Sequence, residues 1–74
     1  MEPREVIIGG RYRHFKGKEY MVLHLAKDSE TLQDLVVYRA LYEEKKVWVR
    51  ALEMFLGQKE VNGVSINRFE LMDG

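Results

Sequence analysis

Cationic and aromatic side chains interleave along Gly10-Arg11-Tyr12-Arg13-His14-Phe15-Lys16-Gly17-Lys18-Glu19-Tyr20. They do so again in Val37-Tyr38-Arg39-Ala40-Leu41-Tyr42 and in Trp48-Val49-Arg50. Between residues 11 and 18 stand Arg11, Arg13, Lys16, Lys18 and His14, with no acid until Glu19. A guanidinium group grips phosphate or carboxylate through a planar fork and stacks on aromatic faces. Aromatic rings take stacked bases at about 1 to 3 kcal/mol per base. This is the chemistry of recognition rather than of bond making. The ligand-binding candidates are Arg11, Tyr12, Arg13, His14, Lys16, Tyr38, Trp48, Arg50 and Arg68. A plainer reading competes with it: the arginines solubilise the outside of a small barrel while Tyr12 and Phe15 pack inside.

Other chemistries find less support. His14 and His24 fall on different predicted strands, and no ligand-spaced motif supplies a third metal ligand. His14 paired with a tyrosine would suit a general base, but nothing in the spacing singles it out. No serine stands in a nucleophile-elbow context, and Gly9-Gly10 alone does not make a phosphate loop. Glu43-Glu44 beside Lys45-Lys46 reads as a solvated hairpin tip. No catalytic residue, metal or cofactor is expected, and a small-molecule enzyme using His14 with arginines ranks last.

Composition narrows the class. Seventy-four residues make one small domain, residues 1–74, with 1–9 as a leader segment. A chain this short buries about 60% of the surface its unfolded form exposes, which leaves little room for a deep cavity. Twelve basic residues balance twelve acidic ones, so an anionic partner must be met by a local patch. There is no cysteine, hence no disulfide framework or thiolate site. No apolar run approaches a membrane span, and 1–5 lacks the core of a signal peptide. A cytoplasmic protein without membrane association is expected.

The elements that must position the candidates are short strands. Residues 10–15 alternate Tyr12 and His14 with Arg11, Arg13 and Phe15, which is strand period. Lys16-Gly17-Lys18 is a turn, and 19–27 a second strand. Residues 28–31 favour a turn or a single helical turn through Leu32 and Gln33. The strongest strand is 35–42, apolar on both faces. Residues 47–50 form its returning partner across the charged tip 43–46. Leu52, Phe55 and Leu56 stand at helical spacing, ended by Gly57. Residues 64–71 form a final strand. The order predicts an all-β, SH3-like small barrel of about five antiparallel strands, with one short helical turn before the last strand. An open curved sheet completed by a dimer partner is the alternative. The second apolar face of 35–42 needs cover from the leader, a partner chain or a ligand.

At these residues the chain resembles the bacterial domain-of-unknown-function family numbered sixteen fifty-three. The shared pattern includes Gly10, Tyr12, Arg13, His14, Phe15, Lys16, Gly17 and Tyr20, then Ser29 to Leu32 and Val36 to Tyr42. It continues through Trp48 to Arg50, Glu53 to Phe55, and Arg68-Phe69. The chain departs at Ala51, where the pattern carries proline, and at the tip 43–46, where a glycine-containing turn is common. The resemblance implies a small stand-alone cytoplasmic bacterial protein and carries no assigned activity. From the residues, the expectation is a binding module for nucleic acid or another anionic partner through an arginine and aromatic face. Protein interaction or homodimerisation through the apolar aromatic face of 35–48 is the second expectation.

Overall fold

The computed structural model describes residues 6–72. In chain order the elements are β1 (Arg11–His14), β2 (Glu19–Lys27), β3 (Asp34–Ala40), β4 (Val47–Ala51), α1 (Leu52–Phe55), β5 (Gln58–Val61), β6 (Val64–Asn67) and β7 (Phe69–Leu71). Each strand pair is antiparallel. Five strands form one sheet in the order β4-β3-β2-β1-β7, and β5 and β6 form a separate two-stranded sheet.

The all-β expectation stands, with the one helical turn after β4. The closed five-stranded barrel requires correction. Among the described residues no ladder joins the edges β4 and β7. The stretch expected as one last strand bends at Arg68. Its first half pairs with β5, a strand not among those expected. Only the three residues of β7 remain to pair with β1, too few to reach β4 as well. The helical turn expected near Leu32 is instead a non-helical turn. There the Asp28 carboxylate accepts the N–H groups of Glu30 (2.8 Å) and Thr31 (3.2 Å), and Leu32 takes φ 63°. The Leu32 N–H closes one i to i+4 bond onto the Asp28 carbonyl at 2.8 Å, but the left-handed backbone of Leu32 prevents a helix from continuing. Of the expected leader, residues 1–5 lie outside the described residues. Val6 packs against the core, and the Ile7 N–H donates to the Tyr12 hydroxyl at 2.9 Å.

Alternation sorts the sheet into two faces. The register pairs Tyr12 with Tyr20, Val22 with Tyr38, Val36 with Arg50, Tyr38 with Trp48, and His14 with Phe69. These residues share the inner face. Tyr12, Val22, Val36, Tyr38 and Phe69 are buried there, and Phe55 from α1 plugs the concavity. The Phe55 ring stacks on Phe69 at 4.1 Å, and meets Tyr12 and Tyr38 edge-on at 5.2 and 5.4 Å. A break in register between Val22 and His24 sharpens the curl of β2. The opposite face carries Arg11, Arg13, Glu19, Met21, Arg39 and Glu70.

Candidate anion-binding site

The site forms at the end of the inner face where the aromatic core reaches solvent. His14 closes β1. Its Nδ1 accepts the Lys16 N–H at 3.2 Å across the turn, which leaves the ring hydrogen of the neutral form on Nε2. Gly17 permits that turn with φ 99°. The imidazole meets Phe69 edge-on at 4.9 Å and Phe15 at 4.3 Å. Arg50 reaches the same ring from β4. Its guanidinium carbon lies 5.7 Å from the Phe69 centroid, and its Nε donates to the Tyr38 hydroxyl at 3.4 Å. The bend before β7 supplies Arg68. The Arg68 N–H donates to the Gly57 carbonyl at 3.0 Å, and its carbonyl accepts the Phe15 N–H at 2.9 Å. Its Nε is buried and has no hydrogen-bond partner.

Electrostatics tie these groups together. Burial, and then the charges of Arg50, Arg68 and Lys16, hold the His14 imidazole below its ordinary pKa of 6.5. A neutral histidine among three cations marks a region of uncompensated positive potential. The ion pairs among the described residues are Arg11–Glu19, Lys27–Asp34 and Lys46–Glu44. None of them engages Lys16, Arg50 or Arg68. Tyr20 adds its phenol beside the cluster, 2.7 Å from the Tyr42 hydroxyl. Burial, that hydrogen bond and the neighbouring tyrosines push the Tyr20 pKa up against the pull of Arg50, so it stays a neutral donor or acceptor. Tyr42 in turn lies under Lys18, with Nζ 4.6 Å from its ring.

Next along the inner face, a depression of about 220 Å³ opens at the β3–β4 hairpin, between Tyr42 and Trp48 and the charged residues of the tip. Trp48 is 49% exposed. The tip 43–46 is exposed throughout, as expected of a charged turn, but Glu43 and Lys45 both adopt left-handed backbone at φ 50° and 55°.

The candidates therefore divide. His14, Lys16, Arg50 and Arg68 converge, and Trp48 stands beside them. Arg11 and Arg13 do not join them. Arg11 sits on the opposite face beside Glu19 (3.7 Å), and Arg13 lies opposite Glu19 and Glu70 in the ladders, because alternation separates them from Tyr12 and His14. Tyr12 and Tyr38 are core residues, 1% and 4% exposed, with their hydroxyls engaged inside. Their faces are closed to any ligand. Tyr20, Tyr42 and Phe69 were not singled out for the site. The signal was present, since Tyr20 and Tyr42 each close one of the basic and aromatic runs, but which rings meet depends on the register. His24 pairs opposite Val37 and not on the inner face with His14, and the described residues contain no group of three His, Cys, Asp or Glu placed to hold a metal.

Residues 10–71 match the family described as a protein of unknown function (DUF1653). The chain belongs to the DUF1653 family. A crystal structure of a DUF1653 protein from Bordetella bronchiseptica is similar, with a TM-score of 0.73 and 33% identity over 82% of this chain and 81% of that one. No curated protein matches. Among the described residues, no helix of this DUF1653 protein is long and apolar enough to cross a membrane.

Proposed function

We propose that this DUF1653 protein is a non-catalytic binding module that recognises an anionic partner, nucleic acid in the first instance, through Lys16, Arg50, Arg68 and His14. The observation that carries this reading is the gathering of Lys16, Arg50 and Arg68 around the His14 imidazole, with none of the three in an ion pair among the described residues. Like charges held together repel one another, and a bound phosphate or carboxylate offsets that repulsion through charge-assisted hydrogen bonds. The four residues include no nucleophile hydrogen-bonded to a base, which favours binding over turnover. We place its action in the bacterial cytoplasm, which accords with a chain that lacks cysteine. We also place the fold beside the SH3-like barrels. The order β7-β1-β2-β3-β4, with its helical turn after β4, supports an open version of that architecture.

The test is a titration of single-stranded RNA and DNA at two salt concentrations. Three phosphate contacts on a single strand correspond to a slope of log K against log salt of about −2. Arg50→Gln with Arg68→Gln lowers affinity and flattens that slope, whereas Arg11→Ala with Arg13→Ala leaves both nearly unchanged. Absence of binding at low salt in the unmodified protein refutes the reading.

A second reading is homodimerisation through β4. This strand is a sheet edge, and Val47, Trp48 and Val49 on it are 52%, 49% and 57% exposed. Exposed apolar edges template pairing with another chain. Light scattering of the protein and of Val49→Lys decides it: a dimer that the lysine abolishes supports the edge reading, and a monomer at high concentration excludes it.

A further inference from the structure

Resting on the anionic-partner reading, the geometry points to a narrower ligand: a nucleoside monophosphate, free or at the end of a strand. Its phosphomonoester sits among Arg50, Arg68 and His14, and its base lies in the depression between Tyr42 and Trp48.

The cations are arranged for one anion rather than for a row. A continuous strand is tracked by positive charge spread along a groove. Here Lys16, Arg50 and Arg68 gather around His14, while Lys45 and Lys46 stand apart at the hairpin tip, where Lys46 meets Glu44. Arg11 and Arg13 lie on the other face, Lys18 covers Tyr42, and Lys27 is paired with Asp34 at 2.9 Å. Three cations around a neutral imidazole suit a group carrying about −1.5 to −2 charge, which a phosphomonoester carries near neutral pH and an internal phosphodiester does not. The His14 Nε2 hydrogen supplies a donor that no hydrogen bond among the described residues uses.

The base site follows from strand geometry. Trp48 and Arg50 stand two residues apart on the inner face of β4, about 6.7 Å along the strand. Both side chains therefore rise from the same face of one strand, and the Arg50 guanidinium then extends to the Phe69 ring. The depression beside Trp48, at about 220 Å³, is smaller than the roughly 300 to 1,000 Å³ of drug-sized sites and suits a single planar ring system. Trp48 offers a half-exposed aromatic ring, and Tyr42, whose ring lies under Lys18, lines the other side. Glu43 and Glu44 at the rim place carboxylates where the amino group of adenine or cytosine would donate. Glu44 also holds Lys46 at 3.5 Å.

Trp48 is the only tryptophan, so its fluorescence reports directly on base stacking. Adenosine 5′-monophosphate, adenosine and inorganic phosphate are titrated separately at low salt. The monophosphate is expected to quench Trp48 saturably. Adenosine binds at least tenfold more weakly, and phosphate displaces the nucleotide without quenching. By calorimetry, Trp48→Leu weakens the monophosphate about tenfold and leaves phosphate affinity unchanged. Arg68→Gln weakens monophosphate and phosphate together, with an unchanged circular dichroism spectrum confirming that it folds. Oligonucleotides with a 5′-phosphate and with a 5′-hydroxyl then separate the sources. A phosphate-dependent gain of tenfold or more over the free nucleotide assigns the site to strand ends, and equal affinities assign it to the free nucleotide. Equal binding of the two oligonucleotides without saturable binding of the monophosphate overturns this inference while the anionic-partner reading stands. If neither the monophosphate nor any oligonucleotide binds, both fall.

Discussion

Removing the ring of Phe55 tests how the site is held up. Phe55 is fully buried, stacked on Phe69 at 4.1 Å and met edge-on by Tyr12 and Tyr38. Phe→Ala in a core costs about 3 to 5 kcal/mol, and each aromatic pair adds about 0.5 to 1.5 kcal/mol beyond area burial. With three ring partners the top of that range applies, about 5 kcal/mol. A domain of 74 residues has a total stability of about 4 to 11 kcal/mol, so Phe55→Ala leaves a largely unfolded chain or a marginal one. Phe55→Leu keeps most of the volume and should cost about 1 to 2 kcal/mol, within the measurable range. Trp48→Ala removes a ring that is already half in water and should cost about 1 kcal/mol. Urea denaturation followed by circular dichroism, which does not depend on Trp48, compares the three. Phe55→Leu should also weaken anion binding, because Phe69 is the platform on which both His14 and Arg50 rest. Equal large losses for Trp48→Ala and Phe55→Ala would place Trp48 in the core and refute its assignment to the recognition surface. A loss below 1 kcal/mol for Phe55→Ala would mean that α1 does not plug the sheet.

Three further predictions concern the strand exit, the hairpin and the histidine. Ala51 has φ −55°, and the Ala40 N–H to Lys46 carbonyl bond puts Ala51 at a ladder position whose own N–H points away from β3; Ala51→Pro should therefore raise stability by about 0.4 to 1 kcal/mol, and a lower melting temperature would show that this N–H is engaged. Lys45 occupies left-handed backbone at φ 55°, so Lys45→Gly should stabilise by about 0.5 to 1 kcal/mol, read as a rise of several degrees in melting temperature. The folded His14 pKa lies below 6.5, so the unfolded chain takes up this proton first: the His14 contribution to stability is level above pH 6.5 and falls as pH drops toward the folded value. His14→Gln should remove that acid-side slope in denaturation midpoints, and Arg50→Gln should move the His14 NMR titration upward; an unmoved titration would separate the two groups.

Much of this protein was legible in its residues. Alternation of Tyr12 and His14 against Arg11 and Arg13, the β-branched and aromatic run into Tyr38, and the Leu52, Phe55, Leu56 spacing before Gly57 each dictate a local conformation, because strand and helix periods follow from backbone geometry alone. The family motif was equally a property of the chain. The hairpin of β5 and β6 was legible too and was passed over: Asn62-Gly63, at φ 52° and 79°, is the two-residue turn whose twist matches paired strands, and it outweighs the polar character of 58–60. Register and closure were decided only by the tertiary structure. Whether Tyr12 and Tyr38 face a ligand or the core depends on which strand lies opposite and on Phe55 filling the concavity, and neither is a local quantity. The same holds for the cations. Arg11 and Arg50 look alike along the chain, but the ladders put Arg11 beside Glu19 on the outside and bring Arg50 from β4 and Arg68 from the last bend, 18 residues apart in sequence, to one imidazole, that of His14. Long-range pairing fixes which charges meet, and the meeting of charges makes the site.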